Sequence, residues 1–220
     1  MDTEAQELRD AKETPRERLL LRMYDQMLND IDRHIIVVWQ SIGVLIGAVA
    51  TLGLAEKRVV TLDVASALIV LISGWSLAHL IDASYWYNRN LVIIANIERQ
   101  FLRTTDLRDI HYYFGAHRPS RMITHLKIQF ALGIGVAVSV LAYHLIDRVA
   151  PGIGSPFSNF EAKRVLPYLA LAVVMVYLAR LRAKADRKYA EFLVNSPGIP
   201  VDTAGISYGE GHGRSRGRPT

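Results

Sequence analysis

Four long apolar runs, each closed by charge, divide this chain. The first, Ile35 to Ala55 (IIVVWQSIGVLIGAVATLGLA), is twenty-one residues without a charge. A helix needs about 20 apolar residues to cross about 30 Å of hydrocarbon, so this run predicts a spanning helix. The second, Val64 to Ile81 (VASALIVLISGWSLAHLI), is bounded by Asp63 and Asp82. A third runs from Ile128 to Ile146, and a fourth from Val165 to about Leu181. The fourth ends where Arg180 and Arg182 appear, and both can snorkel to a membrane interface. The predicted spans are therefore about 35–55, 60–81, 128–146 and 165–181; the alternative is three spans with a re-entrant fourth segment. The short links AEKRVVTLD and DRVAPGIGSPFSNFEAKR force the first two and the last two spans into hairpins.

The helical period does not stop at the ends of these runs. Thr14-Pro15-Arg16-Glu17 is a capping-box pattern with Pro at the first helical position, and it predicts a helix start. From there Leu20, Tyr24, Met27, Ile31 and Ile35 recur at helical spacing into the first span, with Arg22, Gln26, Asn29 and Arg33 on the wet face. The second span continues through YWYNRNLVIIANIERQFLR, where Tyr87, Leu91, Ile94, Ile97 and Phe101 form one stripe. Two apolar stripes outside the membrane are satisfied by packing on each other. The fold class this predicts is all-α: a polytopic bundle over 15–195 whose four helices extend into a cytoplasmic rod. Thr105 to Phe114 reads as a short helix, and Pro119-Ser120 as the start of the helix into span three. Span four continues to Ser196-Pro197-Gly198. Residues 1–14 read as a flexible N-terminus, and 196–220, rich in Gly and Pro and ending GHGRSRGRPT, as a disordered basic tail.

Charge sets the orientation. Of 26 Lys and Arg, twenty-one fall in the N-terminal segment, the segment between spans two and three, and the region from Arg180 onward. The two hairpin links hold only Lys57, Arg58, Arg148, Lys163 and Arg164. By the positive-inside rule both termini are cytoplasmic, and the membrane expected is a bacterial inner membrane. Tyr85, Trp86 and Tyr87 at the end of span two fit an aromatic anchor on that side. No stretch resembles a cleaved signal peptide.

Composition narrows the chemistry. Half of the 220 residues are hydrophobic, 21% are charged and the formal charge is +5. There is no Cys, which excludes disulfides, thiolate metal sites and a Cys nucleophile. His111, His117 and His125 are too scattered for a metal site. No P-loop or other nucleotide fingerprint is present. Gly74-Trp75-Ser76 shares part of the serine motif of intramembrane proteases, but no Gly follows Ser76, and His79 lies three residues along the same helix and not on a partner helix. The chain reads as neither an enzyme nor a holder of a metal or other cofactor.

Three sets of residues remain as candidates. Gly43 and Gly47 form a G-x-x-x-G in span one, with Gln40 and Thr51 extending the face. Small residues let helices approach closely in lipid, so the set serves a subunit contact, a pore lining or close packing within one chain. His79-Leu-Ile-Asp82 and His144-Leu-Ile-Asp147 repeat one tetrapeptide, with His and Asp three apart and able to pair. Such pairs serve proton relays, or simply cap the ends of spans. Arg99, Arg103, Arg108, Arg118, Arg121 and Lys127 border span two and span three. Basic residues there attract anionic head groups, and with Tyr112, Tyr113 or Phe114 they also suit an anionic ligand such as a nucleotide. Three arginines in the tail are too few to argue for nucleic acid.

From Pro15 to Arg103, the amphipathic helix, the tight membrane hairpin and the long returning helix resemble the small SLATT-type membrane proteins. The four-span layout also resembles other small membrane effectors of bacterial nucleotide-signalled defence. That resemblance implies a homo-oligomer that alters membrane permeability, activated by a soluble partner or an anionic ligand at the cytoplasmic helices. The second reading is a non-conducting scaffold that docks a soluble cytoplasmic partner.

Overall fold

The computed structural model describes residues 14–103, 105–106, 122–154, 156 and 161–198. Four helices carry the fold among them: α1 (Pro15–Glu56), α2 (Leu62–Phe101), α3 (Thr124–His144) and α4 (Leu166–Asn195). A π-helical turn (Leu145–Val149) and a 3-10 turn (Ala150–Gly152) prolong α3, and a 3-10 turn (Ala162–Val165) leads into α4. With these turns included, all four helices are long and apolar enough to cross a membrane.

The start of α1 follows its sequence. The Thr14 hydroxyl accepts from the Glu17 amide at 3.2 Å, and the Glu17 carboxylate accepts from the Thr14 amide at 2.7 Å. This closes the capping box around Pro15 and satisfies two donors that the first turn leaves free. The helix ends with Arg58 in the left-handed region, at φ 57°. The Val59 amide there returns to the Leu54 carbonyl at 2.9 Å, and Thr61 caps α2 by accepting from Val64. This tight reversal makes α1 and α2 antiparallel. Their register is visible in pairs that meet along the whole length: Ala48 with Ile69, Val38 with Leu77 and Leu80, Ile31 with Leu91 and Ile94. On α1 the buried positions Ile31, Val38 and Leu45, with Ser41 and Ala48, repeat at seven-residue spacing, the seam of a coiled coil.

Helix α2 is the centre of the molecule. Among the described residues the extensive helix–helix packing runs through it, with α1, α3 and α4 arranged around it. Small residues make this arrangement fit. A Cβ on Gly133 of α3 would meet Leu77, and one on Gly74 of α2 would meet Val174 of α4. The outer sides of the surrounding helices stay apolar and exposed, as at Ile46, Ile128, Val138, Val173 and Met175. A surface of that size needs lipid or another chain to cover it.

At 1.5 Å per residue, the 42 residues of α1 reach about 63 Å, twice the hydrocarbon thickness. The parts of α1 and α2 beyond their apolar runs pack on each other as their stripes predict: Tyr24, Met27, Leu28 and Ile31 meet Tyr87, Leu91 and Ile94. The Tyr24 hydroxyl donates to Glu98 at 3.4 Å, and Arg16 reaches Gln100 at 3.2 Å. Burial pushes the Glu98 carboxyl above its usual range, against the opposing pull of that hydroxyl and of Arg99. The third helix in this part is α4, whose Tyr189 is buried and whose Phe192 lies under Arg89. Among the described residues α3 begins at Thr124, so the fourth helix that the sequence leads one to expect in this part lies mostly outside them. The short helix expected over 105–114 and the start expected at Pro119-Ser120 lie largely outside the described residues, as do 1–13 and 199–220.

Buried polarity is not everywhere satisfied. Both amide atoms of Gln129 on α3 are buried without a partner among the described residues. An unmet amide costs on the order of 1–3 kcal/mol relative to an apolar group of similar shape. Gln129→Leu is therefore expected to raise the melting temperature in detergent; a fall would show that the amide has a partner.

Candidate functional site

The densest buried charge lies where α2 begins. Asp63, the second residue of α2, and His144, the last of α3, both have fully buried side chains, and their Oδ1 and Nε2 atoms are 3.0 Å apart. The other imidazole nitrogen, Nδ1, is 3.2 Å from the Tyr168 hydroxyl on α4. The tautomer with Nε2–H donating to the carboxylate and Nδ1 accepting from Tyr168 satisfies all three groups. The π-turn after His144 brings Arg148 to the same carboxylate, with Nε at 3.3 Å and Nη2 at 3.4 Å. Arg148 also bonds Glu161 at 3.3 Å, and Glu161 in turn holds Lys163 at 3.0 Å and Arg164 at 2.8 Å. Lys163 and Arg164 hold the Glu161 carboxyl down to about 2. The result is a tie of alternating charge that joins α2, α3 and α4 at one end of the apolar zone.

Asp63 and Asp82 are nineteen residues apart on α2, about 28 Å, which matches one hydrocarbon thickness. At the Asp82 end, two cavities open on opposite sides of α2 and share His79 and Asp82. One, of about 530 Å³, is an open groove between α2 and α4 lined by Leu71, Gly74, Trp75, Val174, Tyr177 and Leu181 among others. The other, of about 170 Å³, lies between α1 and α2 and is lined by Arg33, His34, Val37, Val38 and Ala83 besides the shared pair. His79 makes an edge contact with Trp75, with ring centroids 4.4 Å apart.

The residues singled out from sequence fall into distinct places. Gly43 and Gly47 face away from the other three helices: a Cβ on either would meet nothing within 4 Å. Among the described residues nothing packs against them. Gln40 is exposed on the same helix, and Thr51 turns its hydroxyl back to the Ala48 carbonyl at 2.7 Å. The two His–Asp tetrapeptides diverge. His144 pairs with Asp63 and Tyr168 and not with Asp147, which is exposed. The cause is that both ring nitrogens are already engaged across the bundle. His79 and Asp82 share their cavities, with the ring turned to Trp75.

The basic set is not gathered into one pocket by the described residues. Arg99 is half-buried, donates to Asn96 at 3.2 Å, and lies beneath the close approach of Gly198, whose φ of 69° a side chain would strain. Asn96 holds that segment by donating to the Ser196 carbonyl at 3.2 Å. Arg103 and Lys127 are exposed, and none of these three lines either cavity. Arg108, Arg118 and Arg121 lie outside the described residues, as do Tyr112, Tyr113 and Phe114. Among the described residues no group of three His, Asp or Glu is set to hold a metal.

Sequence reasoning missed the tie itself. Asp63 stood out only as the boundary of span two, and Tyr168 and Glu161 not at all. The available signal was charge at the ends of three adjacent apolar runs: Asp63, Arg148 and Glu161 must share one membrane surface if the hairpins close. No family model, no curated protein and no solved structure matches this chain significantly.

Proposed function

We propose that this protein is an integral membrane protein, of a bacterial cytoplasmic membrane with both termini inside, whose copies assemble through the outward face of α1 and alter membrane permeability. Helix α2 fills the centre of the single chain, so a water path must run between copies. The observation that carries the reading is the open space at Gly43 and Gly47. Two glycines one turn apart, with nothing among the described residues against them, are suited to the close approach of a second helix in lipid. Gln40, exposed one turn away, gives that contact a hydrogen-bonding group in a setting where few are met. The trigger in this proposal is a rearrangement of α1, α2 and α4 beyond the spans, driven by a soluble partner or an anionic ligand at Arg99, Arg103, Lys127 and the basic segment between α2 and α3. The resemblance to SLATT-type effectors agrees with this reading. It assigns no catalytic residue and no cofactor.

The test compares the unmodified chain with Gly43→Leu/Gly47→Leu at matched expression. The double variant is expected to lower the particle mass in nanodiscs and to abolish ion leakage and depolarisation in cells. An unchanged mass overturns assembly through α1. The second reading, a non-conducting scaffold, is favoured by the rod itself: α1 and α2 beyond the spans form a core of their own around Ile31, Leu91 and Ile94. No leakage at any expression level, with a soluble protein captured by this rod, would move the conclusion there.

A further inference from the structure

The groove between α2 and α4 has the form of an amphiphile site. Its lining is mostly apolar, with Leu71, Gly74, Ala78, Val173 and Val174 beside Trp75 and Tyr177, and His79 and Asp82 stand at one end of its α2 side. That end coincides with the boundary of three apolar runs: Arg33 precedes the run of α1, Asp82 closes that of α2, and Leu181 closes that of α4. Asp82 is exposed there and makes no hydrogen bond or ion pair among the described residues. An exposed carboxylate at the mouth of an apolar groove offers a donor-bearing cation a charge-assisted hydrogen bond. On the other side of the same His–Asp pair stands Arg33, whose Nη2 holds Asp30 at 2.8 Å and whose guanidinium has further donors to offer.

We propose that this groove binds a phospholipid with a primary-ammonium head group, of the phosphatidylethanolamine type. This rests on the membrane-spanning reading above. One acyl chain lies along α2 and α4, and the ammonium meets Asp82 at the polar end. The charges decide among lipids. An anionic head group would bring phosphate beside the Asp82 carboxylate without an ammonium to separate them. A choline head group carries positive charge but no N–H to donate, so it leaves the carboxylate without a hydrogen bond. A primary ammonium supplies both.

The experiment is native mass spectrometry of the full chain released from nanodiscs of equimolar phosphatidylethanolamine, phosphatidylglycerol and phosphatidylcholine with identical acyl chains. The unmodified protein is expected to retain phosphatidylethanolamine about tenfold over either competitor, the scale of one charge-assisted hydrogen bond. Asp82→Asn is expected to bring the three lipids to near parity, and Ala78→Trp, which fills the groove, to remove the retained lipid. Equal retention of all three lipids by the unmodified chain, or full selectivity in Asp82→Asn, overturns the proposal. Selectivity of the unmodified chain is informative even if a variant fails to fold. Carbonate extraction of cell membranes is the separate control: a chain released by carbonate fails the membrane reading itself, whereas a retained chain without lipid preference fails only this site.

Discussion

Asp63→Ala is expected to destabilise the fold by about 3 kcal/mol, the lower end of the range for breaking a buried ion pair. The side chain has no exposure, and its carboxylate is the common acceptor for His144 and Arg148. Its removal leaves a buried imidazole with one open nitrogen and a guanidinium with one partner gone. The cost stays at the lower end because Arg148 is 28% exposed and keeps Glu161. Asp63→Asn retains an acceptor of the same shape and is expected to cost less, about 1–2 kcal/mol. A double-mutant cycle with His144→Ala, read by unfolding in detergent, should return a coupling near or above 1 kcal/mol; additivity would mean that the pair does not act as a unit. Acid offers a second reading of the same tie. The Glu161 carboxyl is held down to about 2, below its ordinary 4.5. Its stabilising contribution is therefore present above about pH 4.5 and lost as pH falls toward 2. Melting temperatures of the unmodified chain and of Glu161→Gln should differ at pH 6 and converge across that window.

What could be read from the sequence was whatever is written locally. Uncharged runs of spanning length, the capping box at Thr14 and the stripe from Tyr24 to Ile35 each depend on residues within a few turns, and the structure carries each of them. What could not be read was which helix faces which. Asp63 and His144 are 81 positions apart, and the local repeat His-Leu-Ile-Asp pointed to Asp147 instead. Pairing at a spacing of three is a helical rule, but a histidine at the inner side of a helix end takes its partner from the neighbouring helix first. The G-x-x-x-G shows the same limit. Small side chains announce a close approach, yet the pattern is identical whether the approaching helix belongs to the same chain or another. The central role of α2 had a trace in composition: Ser66, Ser73, Ser76 and Gly74 interrupt its apolar run, and all are buried. Residues so small fit a helix surrounded by neighbours better than one facing lipid, where larger side chains are free to extend.

Gly74 turns that reading into a measurable consequence. It lies between Ser73 and Trp75 where Val174 of α4 packs against it, and a Cβ built on it would lie 2.5 and 2.6 Å from the two methyl carbons of Val174 and 3.1 Å from its Cβ. Valine is stiff about χ1 within a helix, so the methyls cannot simply swing aside. Relief must come from displacement of α4. Gly74→Ala is expected to cost about 1–3 kcal/mol as overpacking, offset by up to about 1 kcal/mol of gained helix propensity. Gly74→Leu should exceed this and displace α4 from its seat. The strain is specific to one neighbour, so Val174→Ala should recover most of the stability lost in Gly74→Ala, although on its own it removes packing. A rescue of that kind, measured by unfolding in detergent, would identify the glycine as the seat of α4 on α2. If both variants are simply additive, α4 is free to shift, and the groove beside it is a flexible seam. Because Gly74 and Val174 both line that groove, its width should change with α4's position.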